Sequence, residues 1–196
     1  MSIKFRRKLL MSIGALAMAC AMPAYALEVG GTKLDDTASV GGKTLVLNGA
    51  AMRQILIIKI YAIGLYVEKK STSAAEILAA TGPKRIALHM QREVNSDEFG
   101  QLFITAMNKN STKEEKAKVV TQTTSFGEIF ADVGVVKKGD VFWLDWVPGK
   151  GTVLALNGKQ VGDPLPDHAF YQSVARIWLG SNPPQSNIKP ALLGEK

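Results

Sequence analysis

Residues 48–67 read Asn-Gly-Ala-Ala-Met-Arg-Gln-Ile-Leu-Ile-Ile-Lys-Ile-Tyr-Ala-Ile-Gly-Leu-Tyr-Val. From Ile55 to Val67, side chains at both odd and even positions are apolar, with Lys59 as the exception. A strand that is covered on both faces has this pattern, whereas a half-exposed strand alternates. The stretch therefore predicts one strand over residues 55–67 in a layered domain.

Shorter strands and several helices are predicted around this segment. Strand patterns cover residues 85–90, 141–147, 152–156 and 159–161, and the last three form an antiparallel meander with turns at Pro148-Gly149 and Asn157-Gly158. Helices are predicted to begin after the capping residues Ser73, Asn95, Thr112 and Asp167. Residues 181–196 contain three prolines and are predicted to wrap the surface. This order favours an α+β fold, in which helices cover one face of an antiparallel sheet.

The chain begins with a segment typical of export. Lys4, Arg6, Arg7 and Lys8 precede a mostly apolar stretch, Leu9–Met22, and Ala24-Tyr25-Ala26 supplies small residues for cleavage. The stretch is shorter than the roughly 20 residues of a membrane-spanning helix. We predict a signal peptide over residues 1–26, cleaved after Ala26, with the general and twin-arginine routes both open. A single domain over 27–196 would then be periplasmic or secreted, without a permanent membrane span.

Charge and composition exclude several classes of function. The first 26 residues hold four basic residues and no acidic one, so cleavage lowers the formal net charge from +7 to +3. No basic tract interleaved with aromatic residues remains, so we expect no nucleic-acid partner. The single cysteine, Cys20, leaves with the signal peptide. We therefore expect no disulfide, no thiol chemistry, no metal site and no cofactor.

No catalytic set is evident, but one charged residue needs an explanation. His89 and His168 are the only histidines, one among apolar neighbours on a predicted strand and the other at a predicted helix start, so both are interpreted as structural or surface side chains. Arg53 lies next to the apolar stretch, where an unpaired buried charge would be strongly unfavourable. Arg53 either reaches water or an acidic side chain at the surface, or binds the anionic group of a ligand.

Several segments resemble those of the chalcone isomerase-like family, in the same order. They are residues 48–53, 59–67 and 85–90, the helix after Asn95, the helix after Thr112, Lys138-Gly139-Asp140, Pro148–Thr152, Ile177–Gly180 and Lys189–Gly194. The resemblance covers nearly all of residues 27–196 and is greatest with the exported bacterial branch. It implies an open-faced β-sandwich with a helical layer, in agreement with the α+β prediction.

The resemblance also bears on catalysis. In plant chalcone isomerases an Arg stabilises the phenolate, while Thr, Tyr and Asn side chains hold the substrate and a water. The resemblance places the Arg on Arg53, but it places the others on Tyr61, Phe99 and Ala106, and a late Thr near Phe170. Loss of one positioned donor typically lowers a rate by about 10²–10³. The resemblance thus implies little isomerase activity, although whether the chain is an enzyme stays open.

Non-catalytic plant relatives bind fatty acids, with an Arg and a Tyr near the carboxylate. The leading hypothesis is therefore an exported, non-catalytic binder of a lipophilic anion such as a fatty acid, with Arg53, Tyr61, Phe99 and Phe170 as ligand-binding residues. A residual chalcone isomerase-type intramolecular lyase and a periplasmic protein-interaction module are the alternatives. In one straight strand Arg53 and Tyr61 would lie about 26 Å apart, so both reach one carboxylate only if the chain bends between them.

Overall fold

The computed structural model describes residues 27–195, so the predicted signal peptide lies outside the described residues. The strands are β1 (Leu27–Val29), β2 (Thr32–Leu34), β3 (Thr37–Val40), β4 (Lys43–Ile55), β5 (Ile58–Val67), β6 (Lys84–Met90), β7 (Val94–Asn95), β8 (Val135–Val136), β9 (Val141–Val147), β10 (Gly151–Leu156) and β11 (Lys159–Leu165). The helices are α1 (Ala74–Ala79), α2 (Ser96–Lys109), α3 (Lys113–Lys118), α4 (Val120–Val133), α5 (His168–Leu179) and α6 (Ile188–Leu192).

Seven strands form one antiparallel sheet in the order β11-β10-β9-β6-β5-β4-β3. The predicted meander of β9, β10 and β11 is present, with β9 hydrogen-bonded to β6 in the middle of the sheet. Helices α2, α4 and α5 pack together against one face. The predicted α+β fold, an antiparallel sheet covered by a layer of helices, is confirmed.

The prediction of one continuous strand over residues 55–67 is wrong. Strand β4 ends at Ile55, a two-residue turn of Leu56 and Ile57 reverses the chain, and β5 begins at Ile58. The turn has none of the Gly, Asn, Asp or Pro residues that usually mark one, so apolarity concealed it in the sequence. Because the chain folds back here, Arg53 on β4 pairs directly with Tyr61 on β5.

Both faces of the sheet are covered, which explains the apolar character of β5. On the helical face, aromatic side chains pack against one another in edge-to-face, tilted or stacked pairs: Phe99, Phe103, Phe126, Phe130, Phe142, Phe170 and Trp178. On the other face, Ala62 and Tyr66 form a second cluster with Leu34 of the β1–β2 hairpin. Gly64 permits that approach, since a Cβ there would lie 2.7 Å from the Leu34 side chain.

Three of the four predicted helix caps are present. The side chains of Ser73, Asn95 and Thr112 each accept a hydrogen bond from a backbone amide in the first helical turn. Asp167 precedes α5 but makes no capping bond; its backbone φ is 71°, and its Oδ2 accepts a hydrogen bond from Gln122 Nε2 at 2.7 Å. The predicted Asp167 cap is therefore wrong, because that carboxylate joins α5 to α4 instead.

The C-terminal segment, predicted to wrap the surface, also contributes side chains to the core. Ile188 and Leu192 of α6 are fully buried against the helical face, and α6 contacts β4. Asn48 fixes this contact, since its Nδ2 donates to the Leu192 carbonyl at 2.7 Å. Among residues 27–195, no helix has both the length and the apolar character to cross a membrane.

Candidate ligand cleft

An apolar cleft of about 450 Å³ opens between the end of the β4–β5 hairpin and helix α2. Its walls are mostly hydrocarbon and aromatic, and come from Ile60, Phe99, Phe103, Ala106 and Ile177. Polar side chains also contribute, among them Arg53, Tyr61, Arg92, Glu93 and Glu98. We call it the Arg53 cleft. A largely apolar cavity with a few polar groups is the usual form of a small-molecule site.

The side chain of Arg53 is half-buried and is held at one nitrogen. Its Nη1 donates to the Gln54 carbonyl at 2.6 Å and to Gln185 Oε1 at 3.3 Å. Gln185 also accepts from the Gln54 amide at 3.0 Å, so the C-terminal segment fixes this part of β4. Within residues 27–195 no carboxylate forms a salt bridge with Arg53. The guanidinium group therefore has donors available for an anion, since Arg carries five N–H groups.

Tyr61 is buried beside Arg53, with its ring against Phe99. Its hydroxyl oxygen accepts a hydrogen bond from Trp178 Nε1 at 3.0 Å. Burial raises the pKa of Tyr61 to about 12, although the Trp178 hydrogen bond and the positive charge of Arg53 act in the opposite direction. The phenol is therefore neutral near pH 7 and keeps a proton that it can donate to a ligand oxygen.

Helix α2 supplies one wall of the cleft because its apolar residues recur at helical spacing. Asn95 starts the helix, and Phe99 and Ala106 lie two turns apart on the same side. The Phe99 ring centroid lies 5.9 Å from that of Tyr61 and 4.4 Å from that of Phe103. Phe99 and Ala106, on which the resemblance places the Tyr and the Asn of the plant enzymes, thus both lie on the cleft wall, and both are apolar.

Of the four predicted ligand-binding residues, Arg53, Tyr61 and Phe99 line the cleft and Phe170 does not. Phe170 lies on α5, is fully buried, and packs 5.6 Å from the ring of Phe126. An apolar residue on a helix stripe can face either a core or a cavity, and sequence spacing does not distinguish them.

Three residues of the cleft region were not predicted to act there. Arg92 lines it, Trp178 holds the Tyr61 hydroxyl, and Gln185 holds Arg53. Trp178 belongs to the Ile177–Gly180 segment that resembles the family, which was the available signal. No pattern in the sequence indicated Gln185, since it reaches Arg53 only through the packing of the C-terminal segment.

A larger cavity of about 710 Å³ lies near the other end of β5. Its lining is rich in charge and includes Glu68, Lys69, Lys70 and Lys84. Lys84 is 2% exposed, and its Nζ donates to the carbonyls of Ala80 and Gly82. Burial lowers the pKa of Lys84 to about 8. Because none of the predicted ligand-binding residues lines this cavity, the smaller Arg53 cleft is the better candidate for a lipophilic ligand.

The two histidines lie away from the Arg53 cleft. His89 is on β6, and its pKa is lowered by burial. His168 begins α5 and packs against Trp146, with ring centroids 4.8 Å apart; burial and the neighbouring Lys84 lower its pKa. In the described part of the chain, no three His, Cys, Asp or Glu side chains are grouped closely enough to hold a metal ion.

Comparison with known proteins agrees with this architecture. A search of curated sequences finds no match. Among solved structures, a fatty-acid binding protein of Arabidopsis thaliana has the same fold, with a TM-score of 0.63 at 18% identity over 83% of this chain and 92% of that one. The family model described as chalcone isomerase-like matches residues 26–194. The chain therefore belongs to the chalcone isomerase-like family.

Proposed function

We propose that the protein is an exported, non-catalytic binder of a lipophilic anion, such as a fatty acid, of the exported bacterial branch of its family. The ligand occupies the Arg53 cleft, with its anionic group at Arg53 and Tyr61 and its chain against α2. One observation carries the proposal: Arg53 and Tyr61 are paired across two strands at the edge of a cavity whose walls are otherwise largely apolar.

The polar end of the cleft suits a carboxylate. Arg53 contributes a positive charge that no acid in residues 27–195 neutralises through a salt bridge, and Tyr61 contributes a neutral O–H donor. Hydrogen bonds to a charged group are shorter and about twice as strong as those between neutral groups. A guanidinium and a hydroxyl side by side can therefore bind the two oxygens of one carboxylate.

The remainder of the cleft suits a hydrocarbon chain. Phe99, Phe103 and Ala106 form a continuous apolar wall along α2, and Ile177 contributes from α5. The volume of about 450 Å³ lies within the range of roughly 300–1,000 Å³ typical of ligand pockets. The fold shared with a plant protein described as a fatty-acid binding protein supports the same ligand class.

The chemistry of the cleft gives no support to an isomerase. Neither histidine lines it, and Tyr61 has too high a pKa to act as a general base near pH 7. Phe99 and Ala106 cannot hold a water or a substrate oxygen where the plant enzymes have Tyr and Asn. Binding without turnover is therefore the function that these residues favour.

The deciding experiment identifies what the protein carries. The protein is purified from its own host compartment, extracted with organic solvent and examined by mass spectrometry, in parallel with Arg53→Ala and the control Lys109→Gln. Lys109 is an exposed cation on α2 that does not line the cleft. We expect a stoichiometric lipid acid in the wild type and the control and its loss in Arg53→Ala. An empty wild-type protein, or equal loading of both variants, would contradict the proposal; the first result would favour a protein-interaction module.

A further inference from the structure

Beside the Arg53 cleft, the β4–β5 hairpin ends in four consecutive apolar residues that project into solvent. The exposed fractions are 53% for Ile55, 88% for Leu56, 93% for Ile57 and 49% for Ile58. We call Ile55–Ile58 the hairpin tip. Single exposed apolar residues are common on protein surfaces, but a contiguous projecting group is typical of an interaction site.

The geometry of the tip indicates what kind of partner it fits. Ile55 and Ile58 are cross-strand partners that share one face of the hairpin, while Leu56 and Ile57 project from the turn beyond them, so the tip presents apolar side chains on more than one side. A flat protein surface would cover only one of those sides. The hydrocarbon region of a lipid layer surrounds an inserted segment, and therefore satisfies all four side chains at once.

The turn itself is built against local preference. Leu56 has a φ of 53°, in the left-handed region that residues with a Cβ disfavour. A two-residue hairpin turn of this type is normally made with Gly at its first position. Leu and Ile here weaken the turn and add exposed apolar surface, and such violations of local rules are concentrated at functional sites.

Cationic side chains lie just behind the tip. Lys59 follows Ile58 and pairs with Gln54 in the strand register, and Arg53 and Arg92 line the adjoining cleft. Cations at this level can reach lipid phosphates while the tip enters the hydrocarbon. Leu102 of α2, which is largely exposed, adds apolar surface on the same cleft. The cleft also holds Glu93 and Glu98, so we expect apolar insertion to dominate the binding.

We propose that the hairpin tip inserts into the surface of a phospholipid membrane and holds the mouth of the Arg53 cleft against it. Insertion needs no ligand in the cleft. Only its purpose, the transfer of a lipophilic anion between the bilayer and the cleft, rests on the proposed function. A carrier that docks in this way can exchange its ligand without first releasing it into water.

The test separates insertion from folding through the choice of substitution. Leu56→Gly with Ile57→Asn removes the two most exposed apolar side chains and supplies residues that suit the turn. Flotation is measured for the protein from its own host with vesicles of phosphatidylethanolamine and phosphatidylglycerol. We expect the wild type to bind and the double variant to partition at least about tenfold more weakly. The midpoint of thermal unfolding should be unchanged or higher, because the turn is relieved.

Two controls keep this result specific. Val120→Asn replaces an exposed apolar residue at the start of α4, away from the Arg53 cleft, and should leave vesicle binding unchanged. Binding of free dodecanoate in solution should be the same in the wild type and the double variant, because neither Leu56 nor Ile57 lines the cleft. Equal flotation of the wild type and the double variant overturns the proposal. A wild type that does not bind vesicles also overturns the proposal, whether or not its hairpin tip binds a protein instead. An empty cleft would refute the proposed function and leave the flotation result intact.

Discussion

Arg53 and Tyr61 face each other across β4 and β5 as direct partners in the antiparallel register. Side chains at such positions leave the sheet on the same face, with Cβ atoms about 5 Å apart. The positive charge of Arg53 opposes the rise in the Tyr61 pKa that burial causes, but burial prevails and the phenol stays neutral near pH 7. Together the two residues present one cation and one neutral donor to the same small volume.

The first prediction concerns this pair. Tyr61→Phe should weaken binding of a fatty acid about 10- to 100-fold, since a hydrogen bond to a charged group contributes roughly 1.5–3 kcal/mol. Binding of the fatty alcohol of equal chain length should change much less, because it has no carboxylate. Calorimetric titration of Tyr61→Phe, Arg53→Gln and the double variant measures the coupling. Strictly additive losses would show that the two side chains do not share one ligand group. A chemical unfolding curve for each variant shows whether loss of the Trp178 partner has altered stability.

Two hairpins of the same sheet show how far the sequence could predict the fold. The Asn157-Gly158 turn was predictable, since its residues favour the backbone that a tight turn needs. The Leu56-Ile57 turn was not, because its side chains match those of the strands around it and only pairing with neighbouring strands reveals the reversal. The distance between Arg53 and Tyr61 depended on that turn. Sequence therefore predicted the residues of the cleft better than their arrangement.

The second prediction tests whether the apolar wall holds the chain of the ligand. Ala106→Trp would place a large side chain in the cleft, so long-chain fatty acids should bind at least about tenfold more weakly while short ones are less affected. Affinity is measured by displacement of a fluorescent fatty acid over a series of chain lengths. Thr105→Trp is the matched control, since Thr105 is exposed on the same helix and does not line the cleft. An equal loss at every chain length would show that Ala106 does not face the hydrocarbon.

The third prediction concerns pH and the buried Lys84. Burial lowers its pKa from 10.5 to about 8, so the unfolded chain holds more protons than the folded one between these values. The free energy of unfolding should therefore rise as pH increases from about 8 to about 10, by linkage, and this gain is lost as pH falls through 8. Urea unfolding at several pH values measures it. Lys84→Met should abolish the rise, whereas Lys69→Met, at an exposed lysine of the same cavity, should preserve it. A Lys84→Met curve parallel to the wild type would exclude Lys84 as the source.

The fourth prediction concerns the buried ion pair that joins β6 to β9. Arg85 Nε and Nη2 donate to the two Asp145 oxygens at 2.7 and 2.6 Å, and the guanidinium lies 3.9 Å from the Trp143 ring centroid. Asp145→Ala leaves a buried charge without its partner and should lower the free energy of unfolding by about 3–5 kcal/mol. Replacing both residues, as Arg85→Met with Asp145→Leu, should recover most of that loss, since no charge then stays buried.

The exposed pair of Lys43 and Glu68, 3.1 Å apart, provides the comparison for that measurement. Because water screens it, Lys43→Ala should change the free energy of unfolding by less than about 1 kcal/mol. Chemical denaturation of these three variants and the wild type therefore ranks a buried pair against an exposed one in the same domain. If Asp145→Ala were as mild as Lys43→Ala, the Arg85 guanidinium would have to reach water in the folded protein. If the double replacement were as damaging as Asp145→Ala, the stability would depend on the fit of the side chains around Trp143 and not on their charge.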